Sequence, residues 1–267
     1  VNETARTSLA ETWPARAILT TLQDTGEVFI LMGHVARELP AGLRKMGLVV
    51  TQMASIGVGS IPLTIFVALF TGAVTAVQAA YQMKDYVPMI YLGTVIGKSV
   101  VIELGPVLTA IVVGGRVGAS VAAELGTMRV TEQVDAMETM GISPIAYLVV
   151  PRFVAAMIML PVLTVFADVI AIFGSYLVAI TSLDVTPQTF TSGLKMYFQF
   201  HDVVSGIIKS FFFGQIIAIM GCFYGLKSEG GAEGVGVATT KAVVASCVLI
   251  LVVDYMLASF LFRVIFA

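Results

Sequence analysis

Charge is what this sequence has least of. Asp, Glu, Lys and Arg make up 12% of its 267 residues against 58% apolar, and the mean hydropathy is +0.96. Average globular chains are about a quarter charged, and a water-soluble fold of this length cannot cover its surface with so few ionic side chains. A net charge of −2 leaves no basic footprint, so no nucleic-acid partner is expected. Cysteine is nearly absent as well. Cys222 and Cys247 both sit in apolar runs, which suggests neither a disulfide framework nor a metal site. The stretch from Val1 to Pro14 is polar and lacks the apolar core of a signal peptide, so internal spans are expected to drive insertion. No nucleophile–base pair or metal-ligand cluster stands out, so neither covalent chemistry nor a bound cofactor is expected of this chain.

What the sequence does have is long apolar runs. From Met46 to Met83 there is no charged residue at all, and about 20 apolar residues suffice to cross a bilayer as a helix. Five spans are expected, at about 48–80, 88–115, 145–180, 203–226 and 242–266. Runs this long and continuous are helical, since barrel strands would alternate over about ten residues. The fold class is therefore an all-α membrane protein, with residues 1–47 preceding a transmembrane domain over 48–267. Within the first part, Ala15–Leu43 places Ile18, Leu19, Leu22, Phe29, Ile30 and Leu39 among charged residues. That pattern is an amphipathic helix, lying on the membrane surface or packed under its own spans.

Basic residues set the orientation. With the N-terminus cytoplasmic, the inner side holds Arg6, Arg16, Arg37, Arg44, Lys45, Arg116, Arg129, Arg152, Lys227 and Lys241, and the outer side only Lys84, Lys195 and Arg263. This predicts N-in, C-out.

Charges inside spans cost several kcal/mol unless paired or hydrated, so Lys98, Glu103, Asp168, Lys209 and Asp254 need an explanation. At about 1.5 Å per residue, Asp254 lies roughly 20 Å from the inner end of its span and Lys209 roughly 9 Å from the outer end of its own. In a core of about 30 Å these depths agree. Lys209 and Asp254 are an expected pair that Glu103 can join, either as a structural ion pair or as a polar element of a transport path.

Gly93–Ser99, G-T-V-I-G-K-S, is one residue short of a phosphate-binding loop and lacks the preceding strand, so no nucleotide site is expected. Small residues also recur at four-residue spacing: Gly93/Gly97, Ala110/Gly114/Gly118/Ala122 and Gly221/Gly225. This spacing lets helix backbones approach closely in lipid. Between spans two and three, Glu124–Pro144 carries an amphipathic helix over 128–140, ended by Gly141 and Pro144. It is either a surface loop or a short cytoplasmic coupling helix for an ATPase.

The stretch from Glu103 to Pro144, beginning E-L-G-P-V-L-T-A and ending D-A-M-E-T-M-G-I-S-P, resembles the signature of the MlaE/YrbE permease family. Pro151–Phe153, Ile208–Ser210, Ala238–Thr240 and Val253–Tyr255 agree with it too. The resemblance implies a homodimeric permease of the cell inner membrane, with its C-terminus periplasmic. A cytoplasmic ABC ATPase subunit using ATP and Mg would dock beneath it, and a periplasmic MCE-domain subunit above, with phospholipid as substrate. It further implies a lipid pocket at Leu69, Ala73, Val74, Val77, Gln78, Tyr81 and Glu103, a charge network of Glu103, Lys209 and Asp254, and ATPase coupling through Glu124, Arg129, Glu132, Asp135 and Glu138. Many relatives carry Arg before E-L-G-P where this chain has Ile102, which leaves headgroup preference open. Rival readings are an ion-coupled secondary transporter and a non-transport envelope scaffold.

Overall fold

The computed structural model describes residues 13–84 and 86–265; the first twelve residues of the expected 1–47 segment lie outside the described residues, as do the side chains of Arg16, Ile18 and Leu19. Among the described residues ten α-helices follow one another: α1 (Trp13–Leu43), α2 (Met46–Gly57), α3 (Ile61–Met83), α4 (Leu92–Ser99), α5 (Gly105–Val130), α6 (Gln133–Thr139), α7 (Val150–Ser182), α8 (Pro187–Met196), α9 (Phe200–Leu226) and α10 (Gly231–Ile265). The described residues contain no strand. Five continuous stretches are long and apolar enough to cross a membrane: Met46–Met83, Met89–Val130, Ile145–Ser182, Phe200–Leu226 and Gly231–Leu261.

Prolines follow closely on the irregular turns in these spans. Proline has no N–H and its ring crowds the carbonyl four residues back. Before Pro106 the chain widens to a π turn over Val100–Leu104, with Gly105 N–H reaching the Val100 carbonyl. A second π turn, Ile145–Val149, precedes Pro151. In span one the 3₁₀ turn Val58–Ser60 comes just before Pro62. There the Arg116 guanidinium donates to Ser60 Oγ at 2.9 Å and to the Ser55 carbonyl at 3.3 Å.

Small residues bring the helices together. A Cβ on Gly72 of α3 would meet the Ala171 backbone of α7, and one on Gly174 of α7 would meet the Leu69 carbonyl of α3. Gly114, Gly118, Gly221 and Gly225 hold α5 against α9 in the same way, with Ile217 and Ile250 filling the space beside Gly114. Gly93 packs on the Phe190 carbonyl of α8, and Thr94 Oγ1 donates to the Gly193 carbonyl. The G-T-V-I-G-K-S stretch is thus a helix-packing face. The main core runs between α5, α7 and α9, with Val113, Leu160, Phe213 and Ile217 buried; a second core joins α3, α4, α7 and α8 around Ala76, Leu92, Ile96 and Phe190.

Two boundaries and one additional element differ from the sequence expectation. Span two does not end near 115 but continues to Val130. At 42 residues it is about 63 Å long, twice the hydrocarbon core, so it must emerge from the bilayer. Span five begins at Gly231 rather than near 242, because Ala238 and Ala242 bury against the rest of the bundle and packing overrides the weak helix propensity of glycine. The short helix α8 was not foreseen. In α1, Leu31 and Val35 are buried while Leu22, Phe29 and Ile30 are exposed, so one apolar face packs on the protein and another is left bare.

Candidate functional site

The charges expected to meet do meet. Lys209, in the middle of α9, is 1% exposed, and its Nζ lies 2.5 Å from Glu103 Oε2 and 2.9 Å from Asp254 Oδ1. The Glu103 contact is a hydrogen bond, whereas Asp254 is close enough for an ion pair without hydrogen-bond alignment. Glu103 belongs to the π turn before Pro106, Lys209 to α9 and Asp254 to α10, so three helices converge on one ammonium. Their exposures differ: Asp254 is 13% exposed and Glu103 45%. Glu103 therefore presents one side to Lys209 and the other to open space.

That space is a groove of about 710 Å³ between α3 and α4. From α3 it is lined by Phe70, Val74, Gln78 and Gln82 with Thr71 and Thr75 beside them, and from the second span by Val95, Ser99 and Glu103. Of the expected pocket residues, Val74, Gln78 and Glu103 line it. Val77 and Tyr81 are exposed on the neighbouring stripe of α3, Tyr81 at 81%. Leu69 and Ala73 are half-buried and not part of the wall. The reason is helical period: 70, 74, 78 and 82 share one face, and 69, 73, 77 and 81 the next one round. The family-derived set straddles both stripes.

The other intramembrane charges go elsewhere. Lys98 lies 3.7 Å from Asp202, which is buried and accepts from Gln199 N–H to cap α9. Asp168 is buried on α7 against Gly105, and its Oδ1 has no hydrogen-bond partner.

On the opposite end, the expected 128–140 helix is two pieces. Met128–Val130 finish α5, Glu132 takes a left-handed conformation, and α6 covers only Gln133–Thr139. Val134 is buried beneath it. Arg129 pairs with Asp135 across the break, and Glu124 pairs with the buried Arg152 of α7 at 2.8 Å. Glu132 and Glu138 are exposed and make no ion pair among the described residues. Nearby, Lys227 at the end of α9 donates to Asp24 and Glu27 of α1, each at 2.7 Å; these hydrogen bonds raise its ammonium above the ordinary lysine value.

Residues 49–260 match the family Permease MlaE. The chain belongs to that family. A probable ABC transporter permease protein of Rickettsia prowazekii is 44% identical over 219 residues, covering 82% of this chain and 85% of the relative. One from Synechocystis is 39% identical over 241 residues, covering 90% and 88%. The Arabidopsis thaliana chloroplastic protein trigalactosyldiacylglycerol 1 is 34% identical over 234 residues, covering 88% and 67%. Membership of the MlaE family, together with five spans, makes this chain an integral membrane permease of the ABC-transporter class. The matched region takes in the groove, the ion triad and α6, and begins after the end of α1.

Proposed function

We propose that this permease is the membrane subunit of an ATP-driven transporter that moves phospholipid or a similar hydrophobic molecule across the cell envelope. The observation that carries the reading is Glu103, a carboxylate set in a groove walled by both apolar and uncharged polar side chains and tied through Lys209 to Asp254 on a third helix. Phe70, Val74 and Val95 in its walls suit acyl chains, and Glu103, shared with a buried ammonium and accompanied by Gln78, Gln82 and Ser99, suits a polar headgroup or a switch that senses one. The Arabidopsis relative bears a lipid in its name, which supports a lipid substrate.

In this reading two copies face each other across their α3 helices, so that Val77 and Tyr81 close the groove from the open side. An ATPase subunit that binds ATP and Mg grips α6 through Glu132 and Glu138, and its closure moves α5 and α7 through the Arg129–Asp135 and Glu124–Arg152 pairs. An MCE-domain subunit covers the outer end. The chain sits in the cell inner membrane with its N-terminus cytoplasmic and its C-terminus periplasmic. The ion triad would equally serve an ion-coupled secondary transporter, and co-purification separates the two. The tagged permease is expected to bring down an ATPase with a Walker motif. A lone protein that transports lipid on a proton gradient would overturn the proposal.

A further inference from the structure

A second groove opens between α1, α9 and α10, and nothing in the transport reading uses it. It holds about 900 Å³ and is walled by Phe29 and Met32 of α1, Phe212 and Ile216 of α9, and Val244 and Val248 of α10. Its depth follows from the ion triad. Lys209 and Asp254 are in contact and so mark one level on α9 and α10. At about 1.5 Å per residue, Tyr224 lies about 22 Å inward of that level and Lys241 about 20 Å. Phe212 and Val253 lie within about 5 Å of it by the same rise. The groove thus runs from the triad toward the α1 end over a length of roughly one leaflet of hydrocarbon, about 15 Å. Gln215 is a polar exception partway along; the other polar groups, Asp24, Thr25, Thr240 and Lys241, gather at the mouth.

The mouth has a split charge. Lys227 is shared by Asp24 and Glu27, so two carboxylates have one ammonium between them and keep a net negative charge. Lys241, on the α10 wall, is exposed and has no ion-pair partner among the described residues. One net negative and one net positive centre beside an apolar trough match a phosphate–ammonium headgroup above acyl chains.

We propose that this groove binds a zwitterionic phospholipid from the leaflet on the α1 side, with its chains along α9 and α10, its phosphate on Lys241 and its ammonium on Asp24 and Glu27. The leaflet is the cytoplasmic one on the orientation proposed above; the binding does not depend on that orientation. The outer-half groove at Glu103 and this inner-half groove then meet at opposite sides of the Lys209 triad.

The test uses the full chain in nanodiscs of mixed phosphatidylethanolamine and phosphatidylglycerol. Trace phosphatidylethanolamine, phosphatidylglycerol or diacylglycerol with a diazirine in the acyl chain is added in parallel, and labelled peptides are mapped. The phosphatidylethanolamine probe is expected to label the peptides holding Ile216 and Val248 several-fold more than the exposed α7 face at Val169 and Phe173. Ala245→Trp, which fills the groove, should abolish that excess in a protein that still elutes and melts like the parent. Lys241→Gln should lower labelling by the two phospholipids several-fold and leave diacylglycerol unchanged. Labelling no greater than on α7 would mean annular contact only and overturn the proposal. Equal labelling by phosphatidylglycerol and phosphatidylethanolamine would overturn the headgroup assignment. Capture of a second copy by a photoreactive side chain placed at Val248 would make the groove a subunit contact and overturn it too. Each of these failures leaves the transport reading standing, because that reading is tested by the bound ATPase.

Discussion

Lys209 carries an ammonium that almost no solvent reaches, and two carboxylates from different helices hold it there. This was legible in the sequence because helical rise converts residue number into depth, and only charges at matching depths can pair in lipid. What the sequence did not reveal is the asymmetry between Glu103 and Asp254, since exposure depends on the groove that α3 and α4 leave between them. Lys209→Ala strands Asp254 without its cation, and breaking such a pair costs about 3–5 kcal/mol; the melting temperature in detergent should fall clearly. Lys209→Met combined with Asp254→Leu replaces the pair by apolar volume and should melt near the parent, because apolar replacement of a buried pair is often neutral. Glycine gives a second prediction. Gly72→Val drives a side chain into the Ala171 backbone, where overpacking costs about 1–3 kcal/mol. Gly115→Ala, with nothing within 4 Å of its Cβ, should hold or slightly raise the melting temperature, since alanine is the better helix former.

The elements the sequence hid share a physical cause. Helix α8 has only ten residues, and only Phe190 and Gly193 are buried in it, so no apolar period announces it. The start of α10 reads as linker because glycine disfavours helices locally, while the contacts that fix it are long-range. T-E-Q-V-D continues an amphipathic pattern across Glu132, so nothing in the pattern signals its left-handed backbone, which the Arg129–Asp135 pair spans above the buried Val134. This break leaves Glu132 and Glu138 free for a partner. Glu132→Ala with Glu138→Ala should therefore weaken ATPase recovery in pull-downs by several-fold without shifting the melting temperature of the permease. The α1 latch follows a simple pH rule. The Lys227 value is raised above its ordinary 10.5, so its contribution is fully present below that pH and is lost only as pH climbs past it. Protease protection of α1 should be flat across neutral pH and fall at strongly alkaline pH. Because Lys227 is 46% exposed, the effect is small, at most about 1 kcal/mol.

At the scale of the whole molecule, the described residues hold five stretches long and apolar enough to cross a membrane, and the family match reaches all five. The fold class was legible because apolar runs this long and continuous span lipid as helices, whereas barrel strands would alternate. The groove was less so, because it lies between elements rather than within one. In the proposed function the triad beside that groove serves transport as well as packing. The direct measurement is ATP-dependent phospholipid transfer by the co-purified complex in proteoliposomes, comparing the parent with Lys209→Ala and Asp254→Ala. Each variant is predicted to assemble with its ATPase and to lose transfer. Normal transfer by both variants would contradict it.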